Sequence, residues 1–241
     1  MARFVRRPRG GTVFILTAMA VLTASGVAEL SSSHPGSGPP RPKATVIGRV
    51  PVARVATLVP MAYSMPAHVD IPAVNVHADL IKVDANPDGS LGTPPLSNAK
   101  VAAWYDGSVT PGQTGVSIID AHVDSALMKD YRGAFFSLGL AKPGMEIDVT
   151  RTDHSVAVFT VDEVQAALKT QFPTDQVYAD TAYPSLRLIT CGGDYDPTTH
   201  EYLGNTIVYA HLTATRQPAS PSAAAPSAAA PSAAAPSAEA S

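Results

Sequence analysis

Cysteine is almost missing from this chain: Cys191 is the single one among 241 residues. One thiol excludes a disulfide within the chain. No Cys/His metal spacing and no EF-hand loop is present either, so neither a metal nor another cofactor is expected. Charge is also sparse, with 17 Lys and Arg against 20 Asp and Glu and a net charge of -3. A balance so near zero, without a basic patch, excludes nucleic acid as a partner. What the chain does have is a thiol in an informative place. Cys191 ends the strand-like run Leu186-Arg187-Leu188-Ile189-Thr190-Cys191-Gly192-Gly193. A buried structural thiol is one reading of a lone cysteine, and a nucleophile is the other.

The two ends of the chain read as separate from any fold. Residues 1–10 carry Arg3, Arg6, Arg7 and Arg9 and no acid, and residues 12–28 are mostly apolar and uncharged. A basic stretch before an apolar one is an export signal, and the run is also long enough to span a bilayer as a signal anchor. The arginines would keep residues 1–10 inside and leave the rest outside. The chain therefore divides into a basic cytoplasmic segment (1–10), a signal anchor or cleaved signal (11–30) and a Pro/Ser/Gly-rich stalk (31–65). A folded domain (66–216) and a Pro/Ser/Ala repeat tail (217–241) complete it. In the tail a proline every five residues, from Pro221, stops any alanine helix from nucleating. The expected location is the cell membrane, single-pass with the domain outside, or secreted if the signal is cleaved.

About 150 residues suit one core. Short apolar runs rich in Val, Ile and Thr recur at 67–78, 116–123, 145–151, 155–164, 186–191 and 205–214, bounded by Gly, Pro and Asp. One short helix is expected over 134–140. The class is all-β, as a barrel or a sandwich, and periodicity does not choose between them.

Two stretches carry chemistry. In Gly115-Val116-Ser117-Ile118-Ile119-Asp120-Ala121-His122-Val123-Asp124 an apolar strand ends at a histidine and an acid. In the run ending at Cys191, the following glycines let a substrate backbone approach the sulfur. A thiol needs a partner that exchanges protons near neutral pH, and histidine does so. His122 and Cys191 stand 69 positions apart, so only tertiary structure can join them.

With these residues in view, the chain resembles the sortases. The strand ending at His122, the Leu188-Ile189-Thr190-Cys191 run and the export segment carry the likeness. Finer features resemble the actinobacterial class F sortases: Ile71-Pro72-Ala73-Val74, Phe135-Phe136-Ser137-Leu138 before Pro143-Gly144, and Cys191-Gly192-Gly193-Asp194-Tyr195-Asp196. The resemblance implies an eight-stranded β-barrel and a cysteine transpeptidase. Such an enzyme cleaves an LPXTG-like sorting signal near the C-terminus of its protein substrate, holds the acyl group as a thioester and passes it to a cell-wall amine. It implies Cys191 as nucleophile and His122 as general acid.

The chain departs from that pattern in three places. The family's arginine on the strand after the cysteine loop has no counterpart in Tyr202-Leu203-Gly204-Asn205-Thr206-Ile207. Asn205 is the expected replacement, giving a neutral hydrogen bond where an oxyanion forms, with Arg187 and Arg132 as rivals. Ala121 replaces the family's glycine before the histidine, and Arg187 stands where many relatives have Thr. Two other readings remain at this point: a sortase fold with weak or no activity, and an L,D-transpeptidase-like cell-wall cysteine enzyme.

Overall fold

The computed structural model describes residues 39–40 and 58–217. The basic segment, the export segment, most of the stalk and nearly all of the repeat tail lie outside the described residues. No helix among the described residues is long and apolar enough to cross a membrane.

Eight strands form: β1 (Pro66–Ile71), β2 (Val76–Val83), β3 (Ala102–Tyr105), β4 (Gly115–Ala121), β5 (Glu146–Arg151), β6 (Val156–Leu168), β7 (Pro184–Asp196) and β8 (Glu201–Arg216). They close into a barrel in the order β1-β2-β3-β4-β7-β8-β6-β5, with β5 pairing back onto β1. Closure removes the unpaired edges that an open sheet would present. The β2–β3 and β4–β7 pairs are parallel and the others antiparallel.

Strand alternation gives β4, β7 and β8 two different faces. Ile119, Leu188 and Val208 point into the barrel, where they join Val69, Phe135 and Phe159 in the main core, each fully buried. Ile118, Ile189 and Ile207 point outward, and they too are buried, beneath a second apolar group with Val177 and Tyr209. Leu91 from the β2–β3 connection and Phe172 and Tyr178 from the β6–β7 connection pack on that outer group. The β6–β7 connection carries α1 (Thr174–Tyr178), one turn and a half long, the only α-helix among the described residues.

Two sequence expectations need correction. Residues 67–78 are two strands, not one. Pro72 opens a single 3-10 turn, and Asn75, in the left-handed region at φ 53°, reverses the chain so that β1 and β2 pair antiparallel. Alternation runs on both sides of this tight reversal, which hides it. Residues 134–140 form no α-helix; a 3-10 turn covers Leu138–Leu140 alone. The amides here bond elsewhere: Ala134 N–H donates to the Ala99 carbonyl at 2.7 Å and Phe135 N–H to the His122 carbonyl at 3.1 Å. Strand β3 is only four residues long, too short to show a period.

Candidate active site

The outward face of β4, β7 and β8 ends in polar residues. On β7, Ile189 is followed two positions later by Cys191; on β8, Ile207 is preceded two positions earlier by Asn205. Cys191 and Asn205 are direct partners in the antiparallel ladder. Their side chains therefore share one face with Cβ atoms about 4.5–5.5 Å apart. On the other side of β7, Asp120 of β4 pairs with Ile189 in parallel register. One step on, the Thr190 hydroxyl donates to the Ala121 carbonyl at 2.7 Å. The next step leads to His122, the first residue past the end of β4, on one side and to Cys191 of β7 on the other. The parallel ladder thus brings both to the same end of the barrel despite their separation in the chain.

His122 is half-buried. Its Nε2 donates to the Pro94 carbonyl at 2.6 Å, since a carbonyl only accepts. That bond holds the ring against the β2–β3 connection and assigns the proton to Nε2. Nδ1 is left to exchange a proton and makes no hydrogen bond among the described residues. Just after His122, Asp124 accepts a hydrogen bond from the Tyr202 hydroxyl of β8. Burial and the Asp124 carboxylate together push the Tyr202 phenol well above its usual range, so it stays a donor. This bond ties the loop that carries His122 to the β7–β8 hairpin that carries Cys191.

Burial pushes the Cys191 thiol up to about 11; Lys169 acts against this, and Asp120, Asp124 and Glu201 add to it. Cys191 is therefore mostly a thiol at neutral pH. Burial alone pushes the Asp120 carboxyl up to about 7. Gly193, two residues after the thiol, has φ 82°, a left-handed conformation that glycine adopts without strain. A Cβ at this position would meet the Gly204 backbone of β8, at 3.6 and 3.7 Å.

Asn205 is 7% exposed, and its amide makes no hydrogen bond to any described residue. It is available to a ligand on the Cys191 face. The two rival arginines are engaged elsewhere. Arg187 lies on the same face of β7 but stacks on Tyr209 at 4.7 Å and donates to the Leu186 carbonyl at 3.1 Å. Arg132 is exposed and lies over the Phe136 ring at 4.8 Å.

Sequence reasoning passed over Asp120, Lys169, Glu201 and Tyr202. Asp120 left a signal: an acid inside an apolar strand, two positions before His122 and so on its face. Lys169, Glu201 and Tyr202 left none, because their place depends on how β6 and the β7–β8 hairpin register. Among the described residues no group of three or more His, Cys, Asp or Glu is arranged to hold a metal.

The family model for the sortase domain matches residues 69–213. Among solved structures, sortase A from Listeria monocytogenes is 18% identical, with a TM-score of 0.48 over 64% of this chain and 90% of that one. Sortase A from Corynebacterium diphtheriae is 21% identical, with a TM-score of 0.49 over 64% of this chain and 63% of that one. A sortase D5 transpeptidase from Clostridium perfringens is 18% identical, with a TM-score of 0.43 over 62% of this chain and 79% of that one. No curated protein matches. The domain model spans more than half of the chain, from the middle of β1 almost to the end of β8, and on that match the protein belongs to the sortase family.

Proposed function

We propose that this protein is a cysteine transpeptidase of the class F type, cutting an LPXTG-like sorting signal and joining the acyl part to a cell-wall amine. The observation that carries the reading is the junction of β4, β7 and β8, where Cys191 and Asn205 are ladder partners and His122 directly follows the end of β4. In the first half-reaction the Cys191 thiol passes its proton to Nδ1 of His122, and the Sγ, now a thiolate, attacks the carbonyl carbon of the signal's threonine. The Asn205 amide donates to the oxygen that gains charge. The C–N bond then breaks, His122 gives a proton from Nδ1 to the departing amine, and a thioester remains. In the second half-reaction an incoming amine attacks the thioester, loses a proton to His122, and releases the Cys191 thiolate. The high setting of the thiol keeps the thiolate scarce at neutral pH, so the attacking form is a minor one there.

The N-terminal residues support membrane attachment with the catalytic domain outside, where cell-wall acceptors are found. Incubating the protein with a library of LPXTG-like peptides, with and without amines, tests the proposal by mass spectrometry. The expected result is a thioester on Cys191 that a nucleophilic amine converts to a new amide. A trapped acyl group on any other residue would overturn it.

A further inference from the structure

We propose that Lys169, held in place by Glu201, supplies the positive charge that acts on the Cys191 thiol. The inference rests on the transpeptidase reading of the same site. Its first ground is position. Ala167 of β6 pairs with Asn205, and Asn205 pairs with Cys191 on its other side, so three neighbouring strands meet at one level. Ala167 packs on the outer apolar group. Lys169 follows two positions later, opening the 3-10 turn Lys169–Gln171. Its Nζ lies 3.2 Å from the Glu201 Oε2, and its side chain is 17% exposed. The ammonium is thus pinned at the corner of the site and largely shielded from water.

The second ground is charge balance. Three acids act on the thiol: Asp120 from β4, Asp124 from the loop after it, and Glu201 from β8. Lys169 is the cation that opposes them there. Asn205, the ladder partner of Cys191, and Tyr202 of the same strand bring no positive charge. His122 comes from the β4 side with Nε2 committed to Pro94. Arg187 and Arg132 are held by aromatic rings away from the sulfur. A flexible lysine would wander over many rotamers. One carboxylate at 3.2 Å fixes it, and the ammonium carries two further N–H donors for other partners. Lys169 acts on the sulfur through its field, so it is a positioning residue and not a catalytic one.

The test uses the full-length protein and two alkylating agents, neutral iodoacetamide and anionic iodoacetate, on wild type, K169Q and K169R. K169Q should slow iodoacetamide at pH 7.5 by about threefold to tenfold, the effect of losing an opposite charge next to a titrating group. It should also lower the iodoacetate-to-iodoacetamide rate ratio at low salt, a readout that packing alone does not move. K169R should restore both to within about twofold. In peptide cleavage, kcat should fall in K169Q with KM little changed. If K169Q does not fold, K169M, which keeps an apolar stem, carries the same comparison. An unchanged rate ratio in the neutral variant, or a K169R as impaired as K169Q, overturns the role of Lys169. The alkylation arm needs no sorting signal: a protein that shows the expected ratios but cleaves no peptide would overturn the transpeptidase reading alone.

Discussion

The two faces of β4, β7 and β8 are made by the same three strands and behave as different materials. Inward, Ile119, Leu188 and Val208 are sealed in hydrocarbon. Outward, Ile118, Ile189 and Ile207 form a similar apolar floor, but the rows end in Asp120, Cys191 and Asn205. On each strand the outward row is apolar first and carries a polar group at its end. The comparison shows how a rigid barrel supports a polar site: each polar group stands two positions from an isoleucine packed in the outer apolar group.

Substitutions on the two faces of β7 should therefore separate cleanly. C191A should abolish peptide turnover altogether while leaving the thermal midpoint close to wild type; a stable C191A protein that still turns over would break the comparison at its centre. On the inward face of the same strand, L188A should do the opposite, losing about 2–5 kcal/mol of stability in denaturant unfolding through the cavity it leaves, with the remaining folded fraction still alkylated at Cys191. H122A and N205A should each lower turnover by about 10²-fold, with unfolding midpoints little changed. Stopped-flow or chromatographic assays of peptide cleavage would show this, and an effect below twofold for either would remove that residue from the machinery.

The smallest expected effect concerns Asp120, whose carboxyl burial raises to about 7. Between about pH 4 and pH 7 the folded protein then keeps a proton that the unfolded chain has already lost. The folded state binds more protons in that window, so this group's contribution to stability falls as pH rises through it. D120N should flatten the slope and leave the protein more stable than wild type above pH 7, by roughly 1–4 kcal/mol according to how far water reaches the carboxylate. Urea unfolding at pH 5 and pH 8 measures the difference; parallel pH profiles for wild type and D120N would count against a buried, proton-holding Asp120.

Much of this was legible before any coordinates. The strands that flank the site have long Val/Ile/Thr runs, and their punctuation by Gly and Pro marks β4, β5 and the centres of β6, β7 and β8 closely. Short or sharply reversed pieces were not legible. Strand β3 has four residues, and the β1–β2 reversal hides inside continuous alternation. His122, Cys191 and Asn205 were readable because each sits at the end of a patterned run. Lys169, Glu201 and Tyr202 were not, because a salt bridge across 32 positions and a hydrogen bond across 78 leave no mark on local periodicity.

The parallel pairing of β4 with β7 has a consequence in time as well as in space. Antiparallel neighbours such as β7 and β8 are joined by a short turn, so pairing Cys191 with Asn205 closes only a small loop. Bringing His122 to Cys191 closes a loop that holds β5, β6 and α1. Closing so long a loop is among the slower and more costly acts of folding. Until β4 and β7 pair, the thiol can have Asn205 beside it but not His122. A copy of this chain that lacks that one parallel seam therefore lacks the assembled site, however well its hairpins are formed.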